Sequence, residues 1–152
     1  MANPSAQSKP KSLHTLLTYA GVTPFAAGVI CINLDVGNIP LLGNVADAIS
    51  AYGLIIASFL SGGHWVTHLH KSGGLSVFLA LTSNAVAVGL WVAFLVLAPS
   101  TFLLLLSAAF IFLLGVDKRL AAENLITPMY FKTRVVVTCI VVSLLIWSGF
   151  LI

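Results

Sequence analysis

The stretch TFLLLLSAAFIFLLGV, residues 101–116, holds no charged side chain and ends abruptly on Asp117, Lys118 and Arg119. A helix needs about 20 apolar residues to cross the hydrocarbon of a bilayer, and this run is nearly that long. Four similar runs accompany it, at about 13–34, 45–69, 75–97 and 133–152. Composition agrees. Hydrophobic residues make up 59% of the 152 and charged residues only 7%, with a mean hydropathy of +1.08. A soluble domain carries roughly 25% charged residues to keep its surface wet. Seven basic and four acidic side chains cannot do that here, so lipid is the solvent for most of the surface. The fold expected is all-α: one integral membrane bundle of five helices over 13–152, behind a polar tail at 1–12.

The charges order this layout. Lys9 and Lys11 precede the first run, Lys71 separates the second from the third, and Lys118, Arg119, Lys132 and Arg134 flank the junction of the fourth and fifth. With five crossings, all seven fall on one side. Basic residues are retained in the cytoplasm during insertion, so the expected topology is N-terminus cytoplasmic and C-terminus outside. The first run has no convincing small-residue cleavage site after it and reads as a retained helix rather than a signal peptide. The basic residues are too few and scattered for nucleic acid, despite a pI near 9.1.

Turn chemistry separates the runs. Gly37, Asn38, Pro40 and Gly43 mark an outer loop, Lys71 to Gly74 a short one, and Pro99-Ser100 a tight hairpin with Ser100 or Thr101 as helix cap. A polar connector is expected from Asp117 through Glu123, Asn124 and Pro128. Gly21 and Pro24 predict a kink in the first helix, since proline removes a backbone donor. Tyr52, Trp91 and Trp147 fall toward the outer interface, Trp65 and Tyr130 toward the inner one. Cys31 and Cys139 read as buried free thiols within apolar runs.

His14, His64, His68, Asp117 and Arg134 all fall at the cytoplasmic depth. Ionisable groups within a span are costly and face the bundle interior. They read either as interfacial anchors with a structural Asp117–Arg134 pair, or as a polar vestibule open to the cytoplasm. His64 and His68 share a helical face at four-residue spacing, which suits a transition metal. Two histidines on one face cannot both be axial ligands of one haem, so haem would need a partner such as His14. No resident cofactor is expected. Ser50, Gly53, Ala57 and Ser61, with Ser58 and Gly62 beside them, give the second helix faces on which neighbouring backbones can approach closely. That places it at the bundle centre. Asn84 reads as interhelical glue. The sequence shows no phosphate-binding glycine loop, HExxH, CxxC or GxSxG, and no paired carboxylates for acid–base chemistry.

The segment from Ala51-Tyr52-Gly53 through Ser58-Phe59-Leu60-Ser61-Gly62-Gly63-His64-Trp65 resembles the hallmark of a small multi-span family of unknown function. That family includes bacterial inner-membrane proteins and the mitochondrial transmembrane protein 69. Asp117, Thr127-Pro128-Met129-Tyr130, Arg134 and Thr138, and Tyr19-Ala20-Gly21 with Pro24-Phe25, are similar to it as well. Val66 departs from its pattern, where glycine follows the tryptophan. The resemblance implies a five-span inner-membrane protein without an assigned activity. The expected function is a non-enzymatic accessory, assembly or structural subunit of a membrane complex, in contact with lipid and with other subunits or its own copies. The alternatives are a small ion or solute channel or carrier, and a metal- or haem-binding redox component using His64 and His68.

Overall fold

A computed structural model describes residues 16–152; the tail at 1–12 and His14 lie outside the described residues. Five helices are long and apolar enough to cross a membrane. The first span, Leu16–Asn33, is a helical segment at 16–20 followed, after a turn, by α1 (Thr23–Asn33). A small antiparallel hairpin, β1 (Asn38–Ile39) and β2 (Gly43–Asn44), follows, with Asn38 opposite Asn44. Then come α2 (Val45–Leu69), α3 (Gly74–Val96), α4 (Pro99–Ala122) and α5 (Pro128–Leu151).

The break before α1 is the kink that Gly21 and Pro24 predict. Pro24 has no amide for the carbonyl of Ala20, and that carbonyl instead accepts from Thr23 Oγ1 at 2.7 Å. The neighbouring Gly21 carbonyl accepts from the Tyr52 hydroxyl at 3.1 Å. Both freed acceptors are thus met inside the protein, which is the condition for breaking a helix in lipid. Tyr52 is thereby bonded into the bundle. It is partly buried, with its ring 5.1 Å from that of Phe25.

α2 is the hub, packed on α1, α3 and α4, while α4 pairs with α5 and α5 returns to α1. The reason lies in its small residues. Ala46, Ser50, Gly53, Ala57 and Ser61 recur every three or four positions and are all buried, with Ile49 and His64 buried beside them. A side chain at Gly53 would collide with Leu106 of α4, and one at Gly28 of α1 with Ile49, so backbone and side chain touch directly at both crossings. Ser58 and Gly62 lie on another face; Ser58 is half-buried and Gly62 exposed. The core between α1, α2, α4 and α5 holds Phe25, Ala57, Leu106, Phe110, Leu113 and Leu145. α3 lies to the outside on α2, with a smaller cluster of Leu79, Val116 and Leu120 and Arg119 stacked 4.9 Å over the Phe78 ring tying it to α4.

The fourth and fifth helices run past the expected ends. α4 begins with Pro99 at its first position behind Ala98, so neither Ser100 nor Thr101 caps it; proline there forfeits an amide that has no partner anyway. It continues through Asp117 to Ala122, and α5 starts at Pro128 with Thr127 as its cap, its hydroxyl accepting from Tyr130 N at 3.2 Å. The polar connector is only 123–127. Neither Asp117 nor Arg134 therefore marks a helix end. Helix persists through them because the two charges meet one another, while Lys118 and Arg119 remain exposed near the helix end. Cys31 and Cys139 are free thiols, as expected, but Cys31 is only half-buried and Cys139 is exposed.

The exterior is apolar: Ile55, Phe59, Val66, Leu81, Val88, Trp91, Leu95, Ile111 and Trp147 are among its exposed side chains. Such a surface belongs in contact with lipid, and the chain is a multi-pass membrane protein.

Candidate functional site

One cluster of polar side chains joins three helices. His64 comes from α2, Asp117 from α4 and Arg134 from α5. His64 lies five residues before the end of α2, Asp117 five before the end of α4, and Arg134 six after the start of α5. At 1.5 Å per residue, all three sit roughly 8 Å inside the helix ends. Asp117 is the centre. Its Oδ1 lies 2.8 Å from His64 Nε2, and its Oδ2 accepts from Arg134 Nε at 2.9 Å. A carboxylate can only accept, so the imidazole donates from Nε2. Exposure is 5% for His64, 3% for Asp117 and 5% for Arg134. The three form a buried knot bonded through Asp117. A charge in this setting is costly unless paired; Asp117 and Arg134 neutralise one another, and His64 takes the second carboxylate oxygen.

His68 is not part of this knot. Its Nδ1 lies 2.7 Å from the hydroxyl of Ser76 on α3, and its ring is 5.1 Å from that of Trp65. The two histidines share a helical face but serve different neighbours. Among the described residues no group of three or more His, Cys, Asp or Glu side chains could hold a metal ion. His14 lies outside them.

Arg134 is only half used by Asp117. Its Nη2 is buried and has no hydrogen-bond partner among the described residues, and the same is true of Thr138 Oγ1 one turn further along α5. The residues Arg134 and Thr138 line a cavity of about 290 Å³ between the first span, α2, α4 and α5, whose wall also includes Phe25, Phe110, Tyr130 and Val141. Sequence reasoning reached Arg134 through its charge. The signal for the rest is the spacing of Tyr130, Arg134 and Thr138, four residues apart on one face of α5.

Asn84 also departs from expectation. It lies midway along α3, exposed, and its hydrogen bond, 2.9 Å from Nδ2 to the carbonyl of Ala80, stays within its own helix. Among the described residues it joins no two helices. It borders a shallow groove of about 220 Å³ with Ser58, Ser61, Gly62, Trp65, Ser83 and Ala87.

The chain is of the class of multi-pass helical membrane proteins, with a buried carboxylate held between an imidazole and a guanidinium. Within that class the chain belongs to the family described as Protein of unknown function (DUF3429), whose pattern it matches over residues 10–150. No curated protein and no solved structure matches it.

Proposed function

We propose that this chain is a non-enzymatic subunit of an inner-membrane complex, with its N-terminus in the cytoplasm and its C-terminus outside. It holds a transmembrane helix of a different subunit in the groove between α2 and α3. The kinship with the mitochondrial transmembrane protein 69, carried by the motif around Gly62 and His64, belongs to the same proposal. The observation that supports the reading is Asn84. A primary amide has two donors and an acceptor, and in lipid the groups not used by Ala80 have no water to turn to. Across the groove, a side chain at Gly62 would meet nothing within 4 Å, so a partner helix has room for close approach. Small residues beside one polar residue are the usual means of helix association in membranes.

The orientation rests on Lys71, Lys118, Arg119 and Lys132 at one end of the helices and Asp35 and Asp47 at the other. The carrier alternative has less support, because the charged side chains that would line a path satisfy one another. So has the metal or haem alternative, because His64 and His68 are engaged by Asp117 and Ser76; an absorption spectrum and elemental analysis of purified protein check it.

The test is purification in mild detergent, comparing wild type with Asn84→Leu. A second polypeptide in fixed ratio, lost from the variant, is the expected result. Wild type and variant that are equally monodisperse, as monomer or as self-dimer, would overturn the assignment.

A further inference from the structure

The second polar feature of α5 leads elsewhere, and it stands independently of the α2–α3 groove. We propose that the cavity between the first span, α2, α4 and α5 binds the head ring of a neutral, lipid-soluble carbonyl compound of the quinone type, with Arg134 and Thr138 donating to its carbonyl oxygen.

Four observations converge on this chemistry. Arg134 Nη2 and Thr138 Oγ1 are both buried and without partners among the described residues, and the two residues that carry them line the cavity. Arg134 Nη2 can only donate and the Thr138 hydroxyl can donate beside it, so a ligand oxygen that accepts would satisfy both. The charge of Arg134 is already balanced by Asp117 at 2.9 Å. An anionic head would therefore bring an uncompensated charge into a low-dielectric site, whereas a carbonyl would not. The walls are aromatic as well as aliphatic: Phe25, Phe59, Phe110 and Tyr130 all face the space, with Phe25 and Phe110 edge to face at 6.3 Å. Flat rings favour such surroundings.

Access fits the same ligand. Leu17 and Phe59 line the cavity yet are 61% and 78% exposed on the outer surface of the bundle. The mouth therefore opens sideways, to lipid. At about 290 Å³ the space is at the lower edge of small-molecule sites, enough for a head ring while its tail stays among the acyl chains. The helix break at Gly21 and Val22 forms the facing wall, because Gly21 and Thr18 line the cavity too.

The test is equilibrium binding of decyl-benzoquinone to the full chain in nanodiscs, with empty nanodiscs correcting for partition into lipid. Saturable binding is expected for the wild type. Thr138→Val should weaken it about tenfold, the effect of one lost hydrogen bond. The same variant should leave the unfolding midpoint in sodium dodecyl sulfate unchanged or raised, because the hydroxyl it removes has no partner. Val141→Phe, which fills the space, should abolish binding. No saturable binding, or binding indifferent to both substitutions, would overturn the proposal. So would palmitate binding at the same site in preference to the quinone, which would make the ligand a carboxylate.

Discussion

Removing Asp117 and Arg134 together should cost much less than the sum of the two single removals. Asp117→Leu leaves the guanidinium of Arg134 buried without its counter-ion, which typically costs about 3–5 kcal/mol. Arg134→Met leaves the carboxylate with His64 alone, 2.8 Å away. Loss of one charged hydrogen bond costs about 2–3 kcal/mol. If the two acted independently, the double variant would lose roughly 5–8 kcal/mol by addition. The geometry predicts otherwise. With both charges gone, what remains is a His64 imidazole lacking its acceptor, a penalty of about 1–3 kcal/mol, and the new side chains pack as hydrocarbon. The coupling energy should therefore be roughly 2–7 kcal/mol. It is measured by titrating dodecylmaltoside micelles with sodium dodecyl sulfate and following helix content for the wild type, both singles and the double. Additivity to within about 0.5 kcal/mol would refute the pairing. Restored stability in the triple variant that also carries His64→Leu would show that the residual penalty belongs to the histidine.

Other contacts give their own readouts. Gly28→Ala should lower stability by about 1–2 kcal/mol because its new methyl group meets Ile49, and the additional change Ile49→Ala should relieve the clash; additive losses in the same titration would contradict the close approach. Gly62→Ala, with nothing within 4 Å of the added carbon, should instead stabilise the isolated chain by about 0.5–1 kcal/mol through helix propensity. Tyr52→Phe removes the donor to the Gly21 carbonyl, so stability should fall by about 1 kcal/mol and amide exchange should quicken at residues 16–21. Thr127→Ala should cost about 1 kcal/mol by uncapping α5, with exchange rising in its first turn and not elsewhere.

Much of the architecture was legible because lipid imposes simple rules. The length of each apolar run, the punctuation by Gly37, Pro40, Gly74 and Pro99, and the small-residue face of α2 are all properties of short sequence windows. What was not legible depends on pairing across the bundle. The sequence alone could not say that Asp117 would be neutralised by Arg134, so it placed helix ends where the charges stand; the actual helices continue past both. His64 and His68 looked like one unit because they share a helix face, yet α4 approaches one and α3 the other. Tyr52 carries the composition of an interfacial anchor and is also committed to a carbonyl freed 31 residues earlier. The cavity beside Arg134 arises only when four segments converge, and no stretch of the chain announces it beyond the repeat of Tyr130, Arg134 and Thr138.

The knot at Asp117 also bears on how the chain is made. Helices leave the ribosome in order, so α4 reaches the bilayer before α5 and its carboxylate arrives ahead of Arg134. His64, borne on α2, is already in place by then and offers that carboxylate a donor while the permanent counter-ion is still being synthesised. Of the two partners of Asp117, His64 is therefore the one that precedes it in synthesis, and Arg134 the one that follows.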